Sequence, residues 1–144
     1  MNIEPYSDNY FLDVVRLIEG FHQEAVKEYD MGINIDSIIE TVKDQRENAF
    51  VLVVDGKCEG VIAGRVFKSM LNDGAIFQET IWYVSPSFRR YGVKLLLEAE
   101  KVLKSRGVSI MIMVALGNSK TEKLRKFYNK LGYKRMEEHF MRAL

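Results

Sequence analysis

The stretch Val84-Ser85-Pro86-Ser87-Phe88-Arg89-Arg90-Tyr91-Gly92-Val93-Lys94-Leu95-Leu96-Leu97 decides the reading of this chain. Residues Ala75 to Val84 form an apolar strand that feeds it. Leu95, Leu96, Ala99, Val102 and Leu103 then repeat at helical spacing to about Lys104, where Arg106-Gly107 closes the helix. The amides of a helix's first turn have no intrahelical acceptor and carry partial positive charge. Two arginines and a glycine beside such a terminus make an anion cradle suited to a pyrophosphate. The stretch therefore implies a nucleotide-type cofactor held by its phosphates. An exposed basic turn at an ordinary helix start is the plainer alternative.

Working outward, Ile3 to Tyr6 reads as a first strand. Asp8 is placed to cap a helix carrying Phe11, Val14, Val15, Ile18 and Phe21 at helical spacing. Gly20 to Asn34 is mixed and polar, with Gly32 marking a break. Ile35, Ile38, Ile39 and Val42 predict a second helix over about Asp36 to Gln45. Phe50 to Val54 and Glu59 to Phe67 read as a hairpin around Asp55-Gly56, and Asn72-Asp73-Gly74 turns the chain into Ala75 to Val84. After the helix, Val108 to Leu116 is nearly continuous and apolar, which predicts a buried central strand. Gly117-Asn118-Ser119 is a loop, and Thr121 to Leu131 is a helix stopped by Gly132. Tyr133 to Met136 and Glu138 to Arg142 read as two closing strands. The order β-α-α-β-β-β-α-β-α-β-β predicts one α/β domain over residues 1–144, a mixed central sheet flanked by about four helices.

The bulk numbers exclude several classes. A chain of 144 residues, 47% hydrophobic and 28% charged, can bury a real core. The 21 Lys and Arg against 20 Asp and Glu give a formal charge of +1, which points to neither a nucleic acid nor a membrane surface as partner. Cys58 is the only cysteine, so no intrachain disulfide forms, and no export signal or apolar run near ~20 residues is present. A cytoplasmic setting is expected. His22, His139 and Cys58 lack metal-ligand spacing, so no metal is expected. Cys58 has no adjacent histidine and reads as a strand residue, not a nucleophile. No Gly-x-Gly-x-x-Gly follows the first strand and no Gly-Lys-Ser/Thr loop occurs, which weakens the dinucleotide and P-loop folds.

Two motifs give the chain a family likeness. Arg89-Arg90-Tyr91-Gly92-Val93-Lys94, approached through Val84-Ser85-Pro86, is similar to the Arg/Gln-x-x-Gly-x-Gly/Ala motif of the GCN5-related N-acetyltransferases. Lys126-Phe127-Tyr128-Asn129-Lys130-Leu131-Gly132-Tyr133 resembles that family's Phe/Leu-Tyr-x-Lys-x-Gly-Phe/Tyr segment, and the element order agrees over essentially the whole chain. Lys94 departs from the usual Gly or Ala. Thr121 stands seven residues before the motif tyrosine, where the family often has Asn.

The resemblance implies acetyl-CoA as acetyl donor and a primary amine as acceptor, on a small molecule or a peptide, with direct attack on the thioester. It implies that residues Arg89, Arg90, Tyr91, Gly92, Val93 and Lys94 hold the pyrophosphate. Main-chain groups near Tyr83 and Val84 would pair with the pantetheine arm like an added strand, and Asn118 is the nearby asparagine on the cofactor side. Tyr128 takes the role of general acid toward the departing thiolate, or else packs a helix as a half-buried aromatic. Glu79, beside Gln78 on the strand, takes the role of base, or else faces solvent. The family's strand carries a bulge here that shifts side-chain parity, so alternation does not assign the face of Glu79. His22, Glu24, Glu28, Tyr29 and Asp30 fall where the family lines its acceptor side and suit a cationic amine, or else form a solvated loop. Lys120, Lys123, Arg125, Lys126 and Lys130 make a basic helix, either a solvated face or a partner for the adenosine 3′-phosphate. A non-catalytic acyl-CoA-binding or regulatory module and a longer-chain acyltransferase are the rival readings. A homodimer is left open.

Overall fold

The computed structural model describes residues 1–29, 31–117 and 120–144. They divide into two compact units, Met1–Val114 and Ala115–Leu144.

The first unit is built on five strands in sequence order: β1 (Asn2–Pro5), β2 (Ala49–Val54), β3 (Lys57–Lys68), β4 (Ala75–Val84) and β5 (Val108–Ile112). The first four are antiparallel neighbours and β5 joins β4 in parallel, so the sheet is mixed. The parallel step requires a crossover, which α3 (Gly92–Ser105) supplies. Helices α1 (Phe11–Phe21) and α2 (Ile35–Gln45) connect β1 to β2. Asn34 caps α2 by accepting from the Ser37 amide at 3.1 Å.

Each strand splits its residues between two faces. Val51, Val53, Val61, Ala63 and Ile81 pack with Val14 and Leu17 of α1 and Ile38 and Val42 of α2 in one core. Phe50, Leu52, Ile62, Phe77 and Val84 are buried outside that cluster, as are Leu95, Leu96, Ala99 and Leu103 of α3. The two sets follow from strand alternation and from the apolar stripes of the helices. Asp55 and Gly56 both take positive φ in the hairpin turn, as the Asp-Gly pair predicts.

Gly32 lies outside helix and strand, in line with the break expected there, but the stretch before it carries more structure than its polar composition suggests. Backbone turns continue α1 through a π-helical segment, His22–Val26, and a 3-10 turn, Lys27–Tyr29. Two expectations are corrected. The apolar Val108 to Leu116 run yields a strand only to Ile112. Its residues are half-buried or exposed, because β5 pairs with β4 alone among the described strands. Finally, residues 133–144 form no strand, so the observed order ends at a helix, β-α-α-β-β-β-α-β-α. A strand needs a backbone ladder, and no described strand pairs with this segment, where Met136, Phe140 and Met141 are exposed.

The second unit is organised by α4 (Thr121–Lys130). Thr121 Oγ1 donates to the Leu116 carbonyl at 2.9 Å, and the Tyr133 amide donates to the Tyr128 carbonyl at 3.0 Å, folding the chain back after Gly132. No described helix is long and apolar enough to cross a membrane.

Candidate active site

The site forms where β4 leaves β5. Their ladder runs from Ala75↔Val108 to Gln78↔Ile112 and stops. From Glu79 to Val84, β4 is paired through β3 only among the described strands, so its other edge is not taken up by β5. On the β3 side the register skips one residue, from Gly64↔Glu79 to Ala63↔Ile81, which leaves Thr80 as a bulge. Thr80 Oγ1 lies within hydrogen-bond distance of Gln45 Oε1 and 3.2 Å from the Ala63 carbonyl oxygen, two acceptors for its one proton. The bulge settles the parity of the strand. Ile81 joins the core under α1 and α2, whereas Glu79, opposite Gly64, falls with Phe77 on the other face.

Glu79 is 8% exposed, and its Oε2 accepts the Val114 amide at 2.9 Å. Burial pushes its carboxyl up to about 7; the Val114 N–H, which favours the ionised form, opposes this. Past the end of the ladder, a side chain thus takes a backbone donor that a strand carbonyl would otherwise hold. The solvent-facing alternative for Glu79 does not occur.

Val84 leads into a 3-10 turn, Pro86–Tyr91, which runs directly into α3. The turn is pinned from β3. The Ser85 amide donates to the Glu59 carbonyl at 2.8 Å, and Ser85 Oγ donates to Glu59 Oε2 at 2.6 Å. Arg16 of α1 braces the same carboxylate at 3.3 Å and donates to the Cys58 carbonyl at 2.7 Å. Partial burial pushes the Glu59 carboxyl up, but the Ser85 hydroxyl, Arg16 and Lys57 outweigh it and hold the group below its usual value. Nothing in the spacing of Arg16, Glu59 and Ser85 announces this brace, because its members lie on three elements.

Arg89 and Arg90 occupy the last turn before α3, and neither that turn nor the first turn of α3 holds an acidic residue. The Arg90 guanidinium carbon sits 4.7 Å from the Tyr91 ring centroid. Lys94 is exposed, as is Val93. The Gly92 amide donates to the Arg89 carbonyl, so the positive character at this end comes from Arg89, Arg90, Lys94 and the α3 dipole. A Cβ on Gly92 would point at the sheet, 3.6 Å from Trp82 Cζ2 and 3.7 Å from Val84 Cγ2. Those are ordinary contact distances, so a methyl group fits here and a larger side chain would press on the sheet. This basic, acid-free turn fits an anionic group.

Tyr83 and Glu24 meet the turn from the other side. Tyr83 Oη donates to Glu24 Oε1 at 2.7 Å, and the Arg89 guanidinium donates to Glu24 Oε2. Burial, then the Glu24 hydrogen bond, raise the Tyr83 hydroxyl above its ordinary pKa. The Tyr83 ring meets Phe21 edge-on at 6.3 Å, and a Cβ on Gly20 would lie only 2.9 Å from Tyr83 Oη. The π-helical segment carries Glu24 off the regular α1 spiral toward β4.

The structure thus brings Tyr83, Glu24 and Arg89 together and sets Glu79 at the strand divergence. His22 Nε2 lies 2.6 Å from the Met31 carbonyl oxygen within the connecting segment. Glu28 and Tyr29 lie on the 3-10 turn after Glu24. Asp30 and Asn118 lie outside the described residues. Cys58 is buried, its thiol pushed up to about 12 by burial, and it donates to the Gly60 carbonyl at 3.3 Å, which suits a structural role. In the second unit Tyr128 is buried, its ring 5.7 Å from Phe127 and 5.4 Å from Tyr133. Arg125 of α4 pairs with Glu122 at 2.6 Å. No metal-ligand cluster occurs among the described residues.

A strand, a pinned basic turn and a helix thus follow one another beside the edge of β4 that β5 leaves beyond Gln78, on a mixed α/β sheet. The sequence matches the acetyltransferase (GNAT) family over residues 11–133, and the chain belongs to that family. No curated protein matches it. Solved structures share the fold at low identity. The ribosomal-protein-alanine N-acetyltransferase of Brucella melitensis biovar Abortus 2308 superposes with a TM-score of 0.78 at 16% identity, covering 99% of this chain and 98% of that one. An aminoglycoside acetyltransferase from an uncultured soil metagenomic sample, in complex with sisomicin, gives 0.75 at 17% identity, covering 99% and 95%. The aminoglycoside N-acetyltransferase AAC(6′)-Iy in complex with CoA gives 0.70 at 14% identity, covering 99% and 98%.

Proposed function

We propose that this protein is an acetyl-CoA-dependent N-acetyltransferase that moves the acetyl group to a primary amine by direct attack. The observation that carries the reading is the conjunction at β4: its edge is left by β5 beyond Gln78, and its end runs into the basic Arg89–Lys94 turn. An extended pantetheine arm suits the free edge near Tyr83 and Val84, and the pyrophosphate suits the turn. Residues Arg89, Arg90, Tyr91, Gly92, Val93 and Lys94 make up that turn, and Asn118 belongs to the same proposed cofactor set. The family match runs across the boundary at Val114 and Ala115, which supports treating residues 1–144 as a single acetyltransferase domain.

In this reading the protein orients the two substrates and manages protons. Glu79, ionised above about pH 7, is the base that takes a proton from the amine as it attacks the thioester carbonyl. Tyr128 donates its hydroxyl proton to the departing thiolate. Glu24 and Glu28 favour a cationic amine, on a small molecule or a peptide; the sisomicin complex of the metagenomic acetyltransferase is in keeping with such an acceptor.

The test is free-thiol release from acetyl-CoA across a panel of cationic and neutral amines. Turnover is expected with cationic primary amines. Tyr128→Phe should lower the rate by roughly 10- to 1000-fold with coenzyme A affinity and melting temperature little changed. Coenzyme A binding without turnover on any amine would instead favour the non-catalytic acyl-CoA-binding module.

A further inference from the structure

We propose that Glu24 is an internal competitor for the cofactor: its carboxylate holds Arg89, and the pyrophosphate must take the guanidinium from it. The inference rests on reading the Arg89–Lys94 turn as the phosphate site.

The contact joins two segments 65 residues apart in sequence. Both oxygens of one carboxylate are engaged by the cofactor side of the cleft: Oε2 by the Arg89 guanidinium and Oε1 by Tyr83 Oη at 2.7 Å. Tyr83 meets the Phe21 ring edge-on, and the absence of a side chain at Gly20 leaves the space its hydroxyl occupies. The π-helical turn then presents Glu24 to that hydroxyl. Glu24 is therefore held at Arg89 by a second bond to its other oxygen, unlike a surface acid that meets an arginine by chance.

Arg89 is one of only three cations in the turn, and Arg90 already lies over the Tyr91 ring. A pyrophosphate and Glu24 both seek the Arg89 donors, and two anions at one guanidinium repel each other. Cofactor binding therefore exchanges one anion for another, and Glu24 keeps only its bond from Tyr83. Both side chains are close to half exposed, so the competition is worth a modest factor in affinity.

The experiment is calorimetric titration of coenzyme A into wild type, Glu24→Gln, Arg89→Gln and the double variant, at low salt. Glu24→Gln should bind about 2- to 5-fold more tightly than wild type, and Glu24→Ala should match it. Arg89→Gln should bind more weakly, and adding Glu24→Gln to it should change nothing further. Unchanged or weaker binding by Glu24→Gln overturns the proposal. So does equal tightening in the Arg89→Gln background, which would mark a long-range field in place of a contact. An Arg89→Gln variant with wild-type affinity overturns the phosphate assignment itself, and the competition with it.

Discussion

A carboxyl group with almost no exposed surface, as at Glu79, holds its proton to higher pH than a free one, even with a backbone donor beside it. The folded chain keeps this proton to about pH 7, whereas a free Glu side chain loses it near 4.5. Between those values the native state binds more protons than the unfolded chain, so this group lowers stability as pH rises through the window. Glu79→Gln removes the titration and keeps an acceptor for the Val114 amide. Its melting temperature should therefore gain on wild type as pH rises from about 5 and level off above about 7. If Glu79 is the base, wild-type kcat/KM rises through the same region, on a separate limb from the more basic acceptor amine. The glutamine variant should lose that limb and roughly 100- to 10,000-fold in rate. Paired pH profiles of melting and turnover check both statements, and a surviving limb in the variant would place the base elsewhere.

At the scale of elements, the strand, turn and helix from Ala75 to Ser105 were readable because several local signals agree there. Apolar alternation, Pro86 at the start of the turn and the apolar stripe from Leu95 to Leu103 all favour one conformation. Val108 to Leu116 predicts a longer and more buried strand than the fold holds, because an apolar run reports hydrophobicity and not which neighbours pair with it. The Glu79 to Val114 bond, which marks where β5 has parted from β4, joins residues 35 apart and leaves no trace in either segment. Glu24 was legible as an acid near the cleft. Its bond to Arg89 depends on a π turn that no periodicity announces. At Gly92 the surroundings of the backbone add a packing constraint that the motif alone does not state. Its Cβ direction faces Trp82 and Val84 at ordinary contact distance, so the position has room for a methyl group and little more. Gly92→Ala places a methyl group at ordinary contact distance, and it should fold and bind coenzyme A nearly as wild type does. Gly92→Val adds branches against the indole, and it should cost about 1–3 kcal/mol through overpacking. By shifting α3 it should also weaken coenzyme A binding. Denaturant titration with calorimetry measures the pair, and equal behaviour of the two variants would refute the packing account.

At the scale of the molecule, the question is whether residues 1–144 respond to the cofactor as one acetyltransferase domain. A ligand that binds only the folded state stabilises it by RT ln(1 + [L]/Kd), about 2.7 kcal/mol at a concentration of one hundred times Kd. For a chain of this size that corresponds to a rise of roughly 5–11 °C in melting temperature. If the sheet unit and the α4 unit unfold together, calorimetry should give a single transition, and saturating coenzyme A should move all of it. If they unfold separately, two transitions should appear and the ligand should move one of them. Arg89→Ala with Arg90→Ala removes two of the three cations of the turn, and should abolish most of the shift while leaving the unliganded melting temperature within about 2 °C. That small intrinsic change follows from their exposure and from the pinning of the turn by Glu59 and Ser85. A full shift in the double variant would place the pyrophosphate somewhere other than the Arg89–Lys94 turn, whereas two transitions would argue against a single domain whatever the arginines do.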